Sequence, residues 1–142
     1  MAVMSETALA QLFDHAREAA TKAYAPYSQF SVGAAIRSAS GNIYSGGNVE
    51  NASYPLGSCA EASAISAMIG LGDREIADIA IVSLQNNPCH PCGGCRQRIA
   101  EFATRTTKIH VVNADGSFQS YSVDELLPHA FGPHALKNAR LT

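Results

Sequence analysis

Between Asp78 and Arg96 the chain reads DIAIVSLQNNPCHPCGGCR. Its first part, Asp78 to Leu84, is a β-branched apolar run that suits a strand buried on both faces, and Gly93 to Ala103 reads as the helix that follows it. A buried strand delivering the chain to a helix is the repeating unit of an α/β protein. Downstream, Thr107 to Asn113 looks like a second central strand, Asp115-Gly116 a turn, Phe118 to Ser122 a short strand and Val123 to Leu127 a helical turn. Upstream, Cys59 to Ile69 (CAEASAISAMI) is rich in helix formers and stops at Gly70 and Gly72. Before it, Phe30 to Arg37 and Asn42 to Asn48 flank Ser40-Gly41 as an antiparallel hairpin. From Ser5 to Tyr24, Leu9, Leu12, Phe13, Ala16, Ala20 and Ala23 recur at spacings of three and four, the stripe of an amphipathic helix. The order α, β, β, α, β, α, β, β, α predicts an α/β fold, a three-layer α/β/α sandwich, as one domain over residues 1–142. The polar tail from Pro128 onward is assigned no element.

Composition narrows the function classes. The 142 residues carry ten Lys plus Arg against twelve Asp plus Glu, a net charge of -2. That leaves no excess basic charge to neutralise a phosphate backbone, so nucleic acid is not an expected partner. The apolar runs are far shorter than the roughly 20 residues that span a bilayer, and the N-terminus, MAVMSETALAQL, lacks a secretory pattern. The expected compartment is the reducing cytoplasm, without a membrane partner. There, four cysteines are metal ligands, a nucleophile or buried small side chains rather than a disulfide framework.

Two of the predicted helices begin with cysteine. Cys59-Ala60-Glu61 opens one, and Pro91-Cys92-Gly93-Gly94-Cys95 opens the other. Three thiolates are a soft donor set suited to zinc, and a helix N-terminus favours the thiolate form. If two strands run parallel beneath these helices, the helix starts converge at the carboxyl edge of the sheet. Three ligands leave a fourth zinc position for a water whose pKa falls toward roughly 7. Glu61, two residues beyond Cys59, is placed to transfer protons over that position, and burial would raise its pKa.

This pattern resembles the signature of the zinc-dependent nucleobase deaminases. Within them the chain resembles the short, three-cysteine cytidine deaminases, from AYAPYSQFSVGAA (23–35) through GGNVENASYPLGSCAE (46–61) and PCGGCRQ (91–97) to ELLPHAF (125–131). The resemblance implies a mixed five-stranded sheet and one Zn²⁺ per chain on Cys59, Cys92 and Cys95. It implies that Glu61 shuttles protons while zinc-activated water attacks C4 of cytosine, turning cytidine or 2′-deoxycytidine into the uridine and ammonia for pyrimidine salvage. Asn48 and Glu50 would hold the ribose, Phe30 would pack against the nucleoside and the Ala60 backbone would read the pyrimidine. Phe131 would reach a neighbouring subunit's site, which implies a homotetramer with shared sites. Arg96, directly after Cys95, matches the family arginine that hydrogen-bonds thiolate sulfur. Many relatives carry a second arginine after the glutamate, where this chain has Ala62, so Arg96, backbone amides or Arg98 must offset the thiolate charge.

Other readings compete. Cys89 forms a second C-x-x-C with Cys92 and could close a four-cysteine structural zinc site; its place before His90-Pro91, outside the matched motif, favours a non-ligand thiol. His90 reads as a loop residue. A non-catalytic zinc domain, and a deaminase of cytosine-bearing aminonucleoside antibiotics, are the rival functions.

Overall fold

The computed structural model describes residues 4–137; positions 1–3 and 138–142 of the expected domain lie outside the described residues. Eleven short elements run in the order α1 (Glu6–Thr21), β1 (Val32–Ser38), β2 (Ile43–Gly47), a 3-10 turn (Tyr54–Leu56), α2 (Ala60–Gly70), β3 (Ile76–Ser83), α3 (Gly93–Glu101), β4 (Ala103–Val112), β5 (Phe118–Ser122), α4 (Val123–Leu126) and α5 (Pro133–Lys137). The strands form a mixed five-stranded sheet in the order β2-β1-β3-β4-β5. β3 and β4 are parallel and the other neighbours antiparallel.

Strand alternation splits the apolar residues between two cores. On one face, Ala34, Ile36, Ile79, Ile81 and Ile109 pack against Ala64 and Met68 of α2 and Ile99 of α3. On the other, Ala35, Ala80, Val82 and Val112 meet Leu9, Leu12, Phe13 and Ala16 of α1. The Phe13 ring also stacks on that of Phe118, with centroids 4.9 Å apart. All eight residues of β3 are buried, as its apolar composition requires. The α1 side is packed tightly enough that a Cβ on Gly33 would lie 1.8 Å from the Ala16 carbonyl oxygen. Glycine at 33 is therefore what lets α1 rest on β1.

Polar side chains close the sheet at two places. On the α1 face, buried Asp78 accepts from Arg37 and pairs with His110 Nε2 at 2.8 Å, while His110 Nδ1 lies 2.6 Å from Ser120 Oγ. The chain of contacts crosses β1, β3, β4 and β5. At the hairpin, Asp73 Oδ2 accepts from Ser38, Ser40, Asn42 and Tyr44, which pins the β1–β2 turn to the end of α2.

Several expected boundaries move. The strand predicted from Phe30 begins at Val32, because Gln29 takes a left-handed φ of 55° and the Asn48 side chain holds the backbone on either side of Ser31. The first helix ends at Thr21 rather than Tyr24, whose amide instead donates to the Asn48 carbonyl. β4 starts at Ala103, immediately after α3, and β3 at Ile76, each earlier than predicted. α5, in the tail given no element, and the turn at Tyr54–Leu56 were not predicted.

Candidate metal centre

Both cysteine-bearing helices begin at the carboxyl end of the parallel pair. Cys59 is the N-cap of α2 and Cys92 the N-cap of α3, with Cys95 in the first turn of α3. The loop from Ser83 to Cys92 carries the chain from the end of β3 to the start of α3. In consequence the sulfurs of Cys59, Cys92 and Cys95 lie within 4.8 Å of one another, and all four cysteines of the chain are free thiols. The Cys59 and Cys92 sulfurs are 3.9 Å apart. Tetrahedral zinc–thiolate bonds of about 2.3 Å place two sulfurs about 3.8 Å apart, so the spacing fits zinc. The donor set is soft, preorganised and open on one side.

Burial and neighbouring charge act differently on the three thiols. Burial pushes the Cys59 thiol up, and the negative charges of Cys92 and Glu61 push in the same direction. Burial and the Glu61 charge raise Cys95 well above the usual thiol range. Only Cys92 moves down: burial opposes its ionisation, but the Cys95 backbone amide and the neighbouring thiols outweigh it. The helix starts alone, which the sequence suggested would favour every thiolate, are overcome by desolvation at two of the three positions.

Glu61 lies in the first turn of α2, 4% exposed. Burial raises its pKa, opposed by a hydrogen bond with Cys95 and by the Arg98 charge. Cys89 packs at the edge of the α2/α3 core, and burial together with Glu61 raises its thiol to about 11. It is not one of the three clustered sulfurs.

A cavity of about 450 Å³ adjoins the centre, lined by Tyr27, Asn48, Glu50, Tyr54 and Cys59 among others. Glu50 is fixed there: its Oε1 accepts from the Tyr27 and Ser28 amides, and its Oε2 from the Ser28 hydroxyl. These bonds, the Ser28 hydroxyl first, hold its carboxyl below the ordinary range. The Asn48 amide donates to the Phe30 carbonyl and accepts from the Val32 amide, so it clamps that segment beside the cavity. Ala60 is buried behind Cys59. Phe131 is elsewhere: it is 60% exposed, lines a separate cavity with His129 and His134, and its carbonyl accepts from Gln97.

Arg96 is not where its position beside Cys95 suggested. Its guanidinium donates to the carbonyls of Pro91 and Leu126, tying the start of α3 to the end of α4. The arginine on sulfur is Arg98, whose Nη1 donates to Cys95 Sγ at 3.6 Å. Adjacent helical residues point about 100° apart, whereas residues three apart share a face. Arg98 therefore shares a face with Cys95, and Arg96 faces away from it. Spacing on the helix was the signal that adjacency in sequence obscured. Tyr27 and Tyr54, whose rings meet at 5.9 Å, were also missed as cavity residues.

A cluster of three free thiols beside a buried carboxyl, at the helix starts of an α/β/α sheet, defines a protein of the zinc-dependent deaminase class. Residues 6–111 match the family described as the cytidine and deoxycytidylate deaminase zinc-binding region. The chain is 43% identical over 120 residues to a cytidine deaminase of Halalkalibacterium halodurans, an alignment covering 84% of this chain and 91% of the relative. It is 38% identical over 129 residues to that of Sporosarcina psychrophila, covering 91% and 95%. Among solved structures, a cytidine deaminase from Burkholderia pseudomallei superposes with a TM-score of 0.81 at 41% identity, over 90% of this chain and 100% of that one. One from Mycobacterium tuberculosis gives 0.78 at 35%, over 87% and 97%. The chain belongs to the cytidine and deoxycytidylate deaminase family. Zinc is the cofactor that this family region and the three clustered sulfurs together specify.

Proposed function

We propose that this chain deaminates free cytidine and 2′-deoxycytidine, giving uridine or 2′-deoxyuridine and ammonia, as a cytoplasmic enzyme of pyrimidine salvage. The observation that carries the reading is the buried Glu61 carboxyl beside three sulfurs that lie within 4.8 Å of one another. Cys59, Cys92 and Cys95 are the residues that would hold zinc. When bound by three thiolates, zinc supplies a water whose pKa is lowered toward about 7.

The chain's own residues supply the proton transfers and the fit. Glu61, buried and with its pKa raised toward that of a proton shuttle, takes one proton from the attacking water and passes it to the ring nitrogen next to C4, then takes the second proton from the new C4 hydroxyl and passes it to the departing amino group. Water gains the C4 bond, the C4–N bond breaks and ammonia leaves. Glu50, already anchored through Tyr27 and Ser28, presents a fixed carboxylate to a ribose hydroxyl. Asn48 offers the complementary amide and holds the Phe30 backbone, and we assign the Phe30 ring to packing against the nucleoside. The Ala60 backbone, beside Cys59, reads the pyrimidine.

A cavity of about 450 Å³ suits one nucleoside rather than a strand, in keeping with the net charge of -2. Among the described residues, no helix is long and apolar enough to cross a membrane. Phe131, exposed and outside the lining of the Glu50 cavity, is the residue we assign to a neighbour's site, in a homotetramer of single-domain chains spanning residues 1–142.

The test is loss of the cytidine absorbance band on mixing with purified protein, beside zinc content per chain and the mass of the assembly. One zinc per chain with conversion to uridine supports the reading. Zinc with activity only on cytosine-bearing aminonucleosides would replace the substrate, and zinc with activity on neither would leave a structural domain.

A further inference from the structure

We propose that Arg98 is the positioning residue that supplies the counter-charge of the three-sulfur centre, acting through Cys95. The inference rests on the zinc reading above and concerns what that centre needs electrically. Three thiolates outweigh a divalent ion by one charge, and the surplus weakens the pull of the metal on its remaining position. A cation donating a hydrogen bond to one sulfur draws electron density back from it. Arg98 makes that contact: its Nη1 lies 3.6 Å from Cys95 Sγ.

Three features of the chain favour this role. Arg98 follows Cys95 by three residues on α3, so its side chain runs back along the helix toward the sulfur, the direction long helical side chains take. The guanidinium lies against the first turn of α3, its Nη1 3.4 Å, an ordinary van der Waals contact, from where a Cβ on Gly94 would stand. Among the described residues, Arg98 forms no direct ion pair, and the carboxylate that feels its charge is Glu61, beside the same sulfurs. Arg96, by contrast, spends its donors on two backbone carbonyls and reaches no sulfur. The two arginines, two residues apart, divide the labour between fastening α3 and balancing the sulfurs.

The experiment compares the zinc-loaded protein with Arg98→Gln and Arg98→Lys, using exposed Arg105→Gln as the control, and reads cytidine turnover and the absorption of the cobalt-substituted forms. Arg98→Gln is expected to lower kcat by about 10- to 100-fold with KM within about twofold, because Arg98 does not line the cavity assigned to the nucleoside. Its thiolate-to-cobalt charge-transfer band is expected at longer wavelength, since the sulfur has lost a donor. Arg98→Lys is expected to restore most of both, and Arg105→Gln to change neither. A wild-type band position in Arg98→Gln overturns the proposal, as does an unchanged kcat. A loss of kcat that the lysine does not restore, with the band unmoved, assigns Arg98 to folding instead and overturns it equally. If the unsubstituted protein takes up zinc but converts no cytidine, the functional reading has failed and the cobalt band still judges Arg98.

Discussion

The sulfurs of Cys59 and Cys92 stand 3.9 Å apart although 33 residues separate them in sequence. Each caps a different helix, and both helices pack on the same side of the sheet. Metal binding at this point therefore fastens α2 to α3 through their first residues, adding a bond between two segments that otherwise meet through side-chain packing on the sheet and on each other.

Removal of the metal is expected to lower thermal stability. An ion that binds only the folded chain adds about 4 kcal/mol when present at about a thousand times its dissociation constant. Chelation should lower the melting temperature of the wild-type protein and leave Cys59→Ala, which lacks one sulfur, nearly unmoved. Calorimetry with and without chelator checks this.

Glu61→Gln is expected to keep its zinc and lose turnover. The amide preserves shape and burial but carries no exchangeable carboxyl proton, a loss of about 10²- to 10⁴-fold in rate for general acid–base catalysis. Elemental analysis and the cytidine assay on one sample separate the two effects.

Gly33→Ala is expected to destabilise the fold without touching the site. The added carbon would meet the Ala16 carbonyl at 1.8 Å, backbone against backbone, and overpacking of this kind costs about 1–3 kcal/mol or more. Urea unfolding should show a lower midpoint, with the zinc content of the folded fraction unchanged.

Asp78 is expected to contribute to acid lability. Burial works against its charge, but hydrogen bonds from His110 and Arg37 outweigh it and hold the carboxyl below the ordinary value. Its contribution is thus fully present above the unfolded pKa of about 3.9 and is lost as pH falls through the lower folded value. Asp78→Asn should flatten the stability profile in that window. It should also cost about 3 kcal/mol near neutrality, because Arg37 is left without its carboxylate partner.

Much of the fold was legible because the periodicities were clean. The wholly apolar β3 and the striped α1 left little choice of layer, and CAE and PCGGC at helix starts located the three sulfurs before any coordinates. What escaped reading depended on direction rather than type. Arg96 and Arg98 are the same residue two positions apart, and only the turn of α3 decides which meets sulfur. Phe30 reads as a strand residue until Gln29, with its left-handed backbone, and the Asn48 clamp draw it out of β1. The early start of β4 escaped because ATRT, at 103–106, is mostly polar and only its Ala103 pairs with β3, opposite Ile76 and ahead of the register shift between Ile76 and Asp78.

The two cores divide the molecule into halves with different fates. The α2/α3 core adjoins the thiols, whereas the α1 core is screened from them by the full thickness of the sheet. A chain stripped of its metal is therefore free to fray at the starts of α2 and α3 while α1 and the strands beneath it hold. Amide exchange would then accelerate on one side only, so the protein would carry its own internal reference for how tightly the metal end is closed.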